Sequence, residues 1–192
     1  MWYDDKIKEY ADISRQINQR YCDTHGYDFI VSHENHFFDR HPAWERFPMI
    51  QSILDEGIYD YVVYIDADAC FRHSCSRSLE TIIAENADKH IIFTGDPEYI
   101  LCTGFLIFKN SQISADFIAS VIDAEYSKTM FYNTPGNNTA LYAVINGIYL
   151  IFRPKVLSFP MVFYNHLRQK NIPIRLLFIS NAAVRRCVSR HY

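Results

Sequence analysis

The run YVVYIDADACF at residues 61–71 constrains the fold more than any other part of the sequence. Its first five residues suit a β-strand and are apolar on both faces, which predicts a central strand covered on both sides. Two carboxylates, Asp66 and Asp68, follow with only Ala67 between them. Because side chains alternate along an extended chain, both carboxylates are predicted to project to one side. They would repel each other there unless a cation lay between them.

Helices and strands alternate around this run. The spacing of Ile7, Tyr10, Ile13, Ile17 and Tyr21 predicts a helix over roughly Asp5 to Thr24, with Gly26 as its stop. Further helices are predicted over 42–57, 78–87, 115–126 and 139–146, and strands over 27–33, 60–66, 90–95, 102–110, 148–152 and 156–165.

The second helix carries its own apolar stripe and punctuation. The stripe consists of Trp44, Phe47, Ile50 and Leu54. Gly57 is the predicted terminator, and Pro48 predicts a late start or a kink.

The order of these elements predicts an α/β fold. Alternation in the first half favours parallel strands with crossover helices, whereas the second half has strands in succession. We therefore expect a mixed, mostly parallel central sheet flanked by helices. In such sheets the ligand crevice lies beyond the carboxyl ends of the strands, which is where Asp66 and Asp68 stand.

Composition excludes several classes of protein. The chain has 192 residues and a net charge of −3, which predicts one domain over 1–192, alone or as part of a longer protein, and no nucleic-acid surface. No apolar run approaches the roughly 18 residues of a membrane span. The N-terminus does not resemble a signal peptide, and the five cysteines match no zinc pattern. We expect reduced thiols and a cytoplasmic location.

A strand-end Asp-x-Asp suits a hard divalent cation. Mg²⁺ and Mn²⁺ take oxygen ligands, usually one or two carboxylates together with substrate phosphates. The natural further ligand is a diphosphate, whose departure as a leaving group the metal would stabilise. The alternative is that the two aspartates begin a loop, one capping a turn and the other solvated.

Four stretches in order resemble one enzyme family. YDYVVYIDADACF resembles the Asp-x-Asp segment of GT-A-type, nucleotide-sugar-dependent glycosyltransferases. Three further stretches resemble segments of one group of these enzymes. They are RYCDTHGYDF, WERFPMIQSILDEGIYDYVVYIDADA and CTGFLIFKNS. The group is the galactosyl/mannosyltransferase group, typified by yeast Golgi α-1,6-mannosyltransferase subunits and plant xyloglucan xylosyltransferases. Together the stretches cover roughly residues 17–111, about half the chain.

The resemblance implies a GT-A-like fold, a Mn²⁺ or Mg²⁺ cofactor and a sugar nucleotide, with UDP favoured. It implies transfer to a glycan or other hydroxyl acceptor with retention of anomeric configuration. By resemblance, Asp68 is the direct metal ligand, and Asp66 binds the ribose and the metal. Relatives commonly add a late histidine, for which His166 in VFYNHLRQK is the best match, the alternative being a histidine in a surface loop.

Several other candidate site residues have two alternative interpretations each. Arg46 either reaches the donor diphosphate or lies on a solvated helix face. Thr103 and Gly104 open a strand where a sugar approaches the backbone, or mark a bulge. Asp96 holds sugar hydroxyls or stands in a turn before a proline. Asn138, or its neighbour Asn137, occupies the place where the group often has a carboxylate.

The leading hypothesis is therefore a metal-dependent glycosyltransferase. Because GNNTAL offers no carboxylate nucleophile, a same-face displacement is expected, in which the leaving phosphate oxygen takes the acceptor proton. One rival is a non-catalytic sugar-nucleotide-binding module that retains the Asp-x-Asp. The other is a sugar nucleotidyltransferase, which would usually carry a glycine-rich basic loop near its N-terminus; this chain has one glycine in its first 50 residues.

Overall fold

The computed structural model describes residues 1–72, 78–94 and 102–123, together with the backbone of two late strands. Short 3₁₀ segments at Asp5–Ile7 and Pro42–Glu45 precede the first two helices. The helices are α1 Lys8–His25, α2 Arg46–Asp55, α3 Leu79–Ala84 and α4 Gln112–Asp123. The strands are β1 Tyr61–Ile65, β2 Ala69–Phe71, β3 Ile91–Thr94, β4 Cys102–Lys109, β5 Leu177–Ile179 and β6 Val188–Arg190.

The predicted helix ends at Gly26 and Gly57 are confirmed, whereas α3 ends at Ala84 instead of 87 and α4 begins at Gln112 instead of 115. Gly26 ends α1 with φ +72°, and Gly57 follows α2 with φ +71°, a left-handed conformation that glycine adopts without a Cβ clash. Pro48 lies in the first turn of α2, where its missing N–H is tolerated. Of the two predicted consequences of Pro48, the late start is the one observed, because Pro42–Glu45 form a 3₁₀ segment instead.

Helix α1 buries only part of the apolar stripe that predicted it; Ile7 and Tyr21 pack against the core. The predicted stripe leaves Tyr10 46% and Ile13 56% exposed. The helix instead buries the face that carries Ala11, Ser14, Asn18 and Cys22. These are small or hydrogen-bonding side chains, and they let α1 pack closely on β2. This face is buried because its side chains allow α1 to lie close to β2 and to hydrogen-bond its backbone, although other faces of α1 carry larger apolar side chains.

The main sheet has the strand order β1-β4-β3-β5. β4 runs antiparallel to both β1 and β3, whereas β5 is parallel to β3. A mixed sheet is thus confirmed, but a mostly parallel one is not, since two of these three pairings are antiparallel. The reason is that β4 inserts, reversed, between β1 and β3, which themselves run in the same direction.

Two apolar clusters cover the two faces of this sheet, as the unbroken apolar run in β1 predicted. One cluster joins Val62 and Tyr64 to α2 and α4, and the other joins Ile65 to α1 and α3. Among the described residues β1 pairs with β4 on one side, and the prediction that it is a central strand stays a prediction. Within the part of the chain that the structure describes, β1 is covered on both faces and pairs along one side.

The remaining pairings are short. β2, which follows the two aspartates, pairs antiparallel with β6 near the end of the sequence. The strand predicted at 27–33 is reduced to a single parallel bridge between Trp2 and Ser32. The elements predicted at 139–146, 148–152 and 156–165 lie outside the described residues. In the described part of the chain, no helix has the length and apolar character needed to cross a membrane.

Candidate functional site

The two aspartates lie in a tight turn, not in an extended strand. The Asp66 amide donates to the Gly104 carbonyl at 2.9 Å, and the Asp66 carbonyl accepts from the Ala69 amide at 3.1 Å. The second bond closes a β-turn over Asp66–Ala69, which we call the Asp turn. The prediction that strand alternation places both carboxylates on one side was therefore wrong in its premise, because the strand ends at Ile65.

The Asp turn nevertheless brings both carboxylates to one neighbourhood. Burial raises the pKa of Tyr10, and Asp68 and Asp66 are among the carboxylates that raise it further. Burial likewise raises the pKa of Tyr64, on which Asp66 and Asp68 act in the same direction. Both carboxylates therefore influence the same two tyrosines, one from α1 and one from β1. Tyr10 was predicted only as part of the helix stripe, and sequence periodicity carries no signal for its position beside the turn.

Arg46 holds the Asp turn in place. Its side chain is buried, with Nη2 at 3.0 Å from Asp66 Oδ1. Nη1 donates to the Thr103 carbonyl at 2.6 Å and Nε to the Ala43 carbonyl at 2.7 Å. The guanidinium also lies 5.1 Å from the centre of the Tyr64 ring, within cation–π range.

Electrostatics keep this guanidinium charged. Burial acts to lower the pKa of Arg46, but Asp66 and other nearby groups raise it above its usual value. The interpretation of Arg46 as a residue on a solvated helix face was therefore wrong. Its three nitrogens contact the protein itself, which gives Arg46 a positioning role toward Asp66.

Thr103 and Gly104 lie beside the Asp turn, as the sequence grouped them. The Thr103 carbonyl accepts from Arg46, and the Gly104 carbonyl accepts from Asp66. Both residues are buried at the start of β4. Ala67 is also buried, between the two aspartates. The structure therefore brings together Asp66, Ala67, Asp68, Arg46, Thr103 and Gly104.

Asn18 is a positioning residue that the sequence analysis missed. It is 0% exposed, and its amide nitrogen donates to the Ala69 carbonyl at 3.0 Å. Its amide oxygen accepts from the Phe71 amide, also at 3.0 Å. The side chain therefore pairs with β2 as a neighbouring strand would. The sequence did contain a signal for this role. Asn18 lies four residues after Ser14 and four before Cys22, so the three share one face of α1.

The chemistry of this cluster fits a hard cation. Asp66 and Asp68 supply carboxylate oxygens, the ligand type that Mg²⁺ and Mn²⁺ prefer, and two carboxylates outweigh the single charge of Arg46. Among the described residues, no group of three or more His, Cys, Asp or Glu side chains is arranged to hold a metal. A third protein ligand would have to come from elsewhere in the chain. His166, Asp96 and Asn138 lie outside the described residues.

The fold is similar to that of a solved glycosyltransferase. The crystal structure of a glycosyltransferase involved in the glycosylation of the major capsid of PBCV-1 matches with a TM-score of 0.57 and 14% sequence identity. The match covers 91% of this chain and 78% of that chain. No protein-family model matches the sequence, and no curated protein matches it. At this identity the likeness concerns the fold alone.

Proposed function

We propose that this chain is a metal-dependent glycosyltransferase with a GT-A-like fold. It would transfer a sugar from a nucleoside-diphosphate sugar, with UDP as the first candidate, to a hydroxyl of a glycan or another acceptor. The observation that carries the proposal is the Asp turn, where two carboxylates follow a buried strand and one of them, Asp66, is fixed by a buried arginine. The similarity in fold to a solved glycosyltransferase supports the same conclusion.

The residues of the Asp turn have different proposed roles. By the resemblance to GT-A-type enzymes, Asp68 would be the direct metal ligand, while one oxygen of Asp66 pairs with Arg46. Asp66, held rigid by that contact, binds the donor ribose and contributes to the metal site, which His166 completes. A bound Mn²⁺ or Mg²⁺ would neutralise the donor diphosphate and favour its departure. Arg46 acts through Asp66 and not on the diphosphate.

The catalytic step is proposed from the sequence. Thr103 and Gly104 border the sugar, and Asp96 binds its hydroxyls. Asn138 stands where related enzymes often have a carboxylate, so that no side chain there forms a covalent link to the sugar. The acceptor oxygen would then bond to the anomeric carbon on the face that the diphosphate leaves, and the leaving phosphate oxygen takes the acceptor proton. A trapped glycosyl–enzyme adduct would overturn this step.

Titration calorimetry tests the proposal directly. The chain is titrated with UDP, GDP and their sugars, with and without Mn²⁺. We expect tight binding of one nucleoside diphosphate only when the metal is present. Asp68→Asn should weaken that binding at least about 100-fold while leaving the unfolding midpoint unchanged, because it removes a metal-binding charge without changing shape. Asp23→Asn, at an exposed position of α1, is the matched control and should bind normally.

Two outcomes would contradict the proposal in different ways. Absence of metal-dependent binding of every nucleoside diphosphate would exclude the transferase. Metal-dependent binding, followed by neither hydrolysis nor transfer over a panel of sugar acceptors, would favour the alternative of a non-catalytic sugar-nucleotide-binding module.

A further inference from the structure

One aromatic ring is almost fully exposed in the described part of the chain. Phe38 is 96% exposed, the highest value among the large hydrophobic side chains described. A single exposed apolar side chain is common on protein surfaces and means little by itself. Phe38 differs from such a residue because the chain is fixed by buried contacts on both sides of it. We call residues 36–41 the Phe38 loop.

A buried carboxylate fixes the chain just before Phe38. Glu45 is buried, and its Oε1 accepts from the Phe37 amide at 2.8 Å. Its Oε2 accepts from the His36 amide at 2.8 Å and lies 3.0 Å from His36 Nδ1. The Phe37 ring packs against one of the two apolar clusters. The chain that precedes Phe38 is therefore held through both its backbone and its side chains.

A buried arginine fixes the chain just after Phe38. The Arg40 side chain is buried, and its Nη1 donates to the Ile122 carbonyl in α4 at 2.9 Å. The guanidinium lies 4.1 Å from the centre of the Phe37 ring and 5.4 Å from that of Trp44, within cation–π range. Phe37 and Arg40 thus turn inward, and the loop between them presents Phe38 to solvent in a fixed place.

The Phe38 loop lies at the same end of the sheet as the Asp turn. The loop leads into the 3₁₀ segment before α2, where the Ala43 carbonyl accepts from Arg46 Nε at 2.7 Å. Nη2 of the same Arg46 contacts Asp66. Burial lowers the pKa of His41, the last residue of the loop, and the charge of Arg46 lowers it further. The loop therefore borders the proposed donor site without forming part of it.

The surroundings of Phe38 suit a sugar better than a membrane or a protein. The exposed carboxylates of Glu34 and Asp39 flank it in the chain, and they can accept hydrogen bonds from sugar hydroxyls. The flat apolar face of an aromatic ring packs on the C–H groups of a sugar ring. Attraction to an anionic membrane needs exposed Lys or Arg, whereas the Arg40 charge is buried. A protein interface needs a wider apolar core than one ring.

We infer that Phe38 is an acceptor-binding residue, on whose ring one sugar of a glycan acceptor stacks. The inference rests on the proposed function and deepens it, because it chooses a glycan among the possible hydroxyl acceptors. Since the Phe38 loop is anchored on both sides, the ring is already in place before the sugar arrives, and little ordering cost opposes binding. Stacking on Phe38 requires neither metal nor nucleotide, so it can be measured apart from transfer.

Binding of short glycans to the full chain tests the inference. The probes are linear tetrasaccharides of glucose, xylose, mannose and galactose, and saturation-transfer NMR measures their dissociation constants without metal or nucleotide. We expect at least one probe to bind. Phe38→Ala should weaken that binding about tenfold or more, while the unfolding midpoint stays unchanged because the ring is exposed. Phe38→Trp keeps an aromatic face and should retain the binding.

Ile58→Ala is the matched control. Ile58 is also an exposed apolar residue, at 69%, and it precedes β1, at the end of that strand away from the Asp turn. Its removal should leave the binding of every tetrasaccharide unchanged. A loss equal to that of Phe38→Ala would show that the sugars bind apolar surface without preference, which would overturn the inference.

Three further results would also overturn it. One is that no tetrasaccharide binds the unchanged chain, and another is that Phe38→Ala binds as tightly as the unchanged chain. The third is Phe38-dependent binding to vesicles of phosphatidylcholine and phosphatidylserine without binding of any sugar, which would assign Phe38 to a membrane.

Failure of this inference is distinguishable from failure of the proposed function. Calorimetry with nucleoside diphosphates and Mn²⁺ reports on the Asp turn, and Phe38→Ala should leave that binding unchanged. Donor binding without any binding of sugars would overturn the inference alone. Sugar binding that depends on Phe38, in a chain that binds no nucleoside diphosphate, would support the stacking and contradict the transferase.

Discussion

Within the described part of the chain, the two sides of β1 differ in what lies beside them. On the side of β4, the backbone is hydrogen-bonded, and the strand runs into the Asp turn, where Arg46 and Asn18 fix the chain. On the opposite side, β1 lines a mainly apolar cavity of about 390 Å³, which we call the β1 slot. The five residues of β1 therefore lead into the polar Asp turn at one end and border a cavity along one side. The geometry of the site therefore depends on contacts from β4, α1 and α2, not on the strand sequence alone.

Removal of Arg46 should have the largest effect on the paired side. Arg46→Ala breaks a buried ion pair and leaves Asp66 without its partner, which should lower the free energy of unfolding by about 3–5 kcal/mol. Urea denaturation measures this loss. Arg15→Ala is the matched control, since Arg15 is half-exposed and lies 3.8 Å from Asp12, and it should change stability by less than about 1 kcal/mol. Similar losses in the two variants would show that Arg46 does not hold the turn.

A pair of isoleucine truncations compares a filled part of one apolar cluster with the part of it that borders the cavity. Ile118 on α4 is fully buried and lies away from the slot, so Ile118→Ala should cost about 3–4 kcal/mol. Ile53 on α2 lines the slot and already borders empty space, so Ile53→Ala should cost about 2 kcal/mol. Both values come from equilibrium unfolding at 25 °C. An equal or larger cost at Ile53 would mean that the slot is filled in solution.

A substitution at Asn18 tests the two hydrogen bonds that join α1 to the backbone of β2. Asn18→Leu leaves the Ala69 carbonyl and the Phe71 amide without partners, which should cost about 2–3 kcal/mol. Gln19→Ala, on the exposed face of the same helix, removes only a surface hydrogen bond to Asp23 and should be nearly neutral. If Asn18→Leu proved neutral in thermal unfolding, an apolar side chain could replace Asn18 on the buried face of α1, and its hydrogen bonds to β2 would not be needed for stability.

The smallest effect concerns Cys22, on the wall of the slot. Burial is the main cause that raises the pKa of this thiol from its ordinary value of 9.0 to about 11. The folded state favours the neutral thiol, so this contribution to stability is present below pH 9 and is lost as the pH rises toward 11. At pH 8, alkylation by iodoacetamide should be slower than in urea by roughly 100-fold, since two units of pKa reduce the thiolate to about a hundredth.

Mass spectrometry of the Cys22 peptide follows the alkylation reaction. The half-buried Cys102 serves as an internal reference. Equal rates for Cys22 in the folded chain and in urea would show that the slot is open to reagent.

Part of this fold was predictable because local patterns dominate it. Glycines at positions 26 and 57 need no tertiary contact to end a helix, and the stripe from Trp44 to Leu54 is buried as its spacing indicates. The grouping of Asp66 with Thr103 and Gly104 was also obtained from sequence, through resemblance. The buried face of α1 could not be predicted in this way, because Asn18 stabilises the fold only through its hydrogen bonds to the distant backbone of β2.

The sequence by itself determined that a strand at 61–65 ends in two carboxylates and is apolar enough to be covered on both faces. Only the tertiary structure decided that these carboxylates lie in a turn, that the Arg46 guanidinium pairs with Asp66, and that β1, among the described strands, pairs with β4. The physical reason is range: residue periodicity reports which side chains leave water, whereas hydrogen bonds between distant segments decide where each backbone group finds its partner.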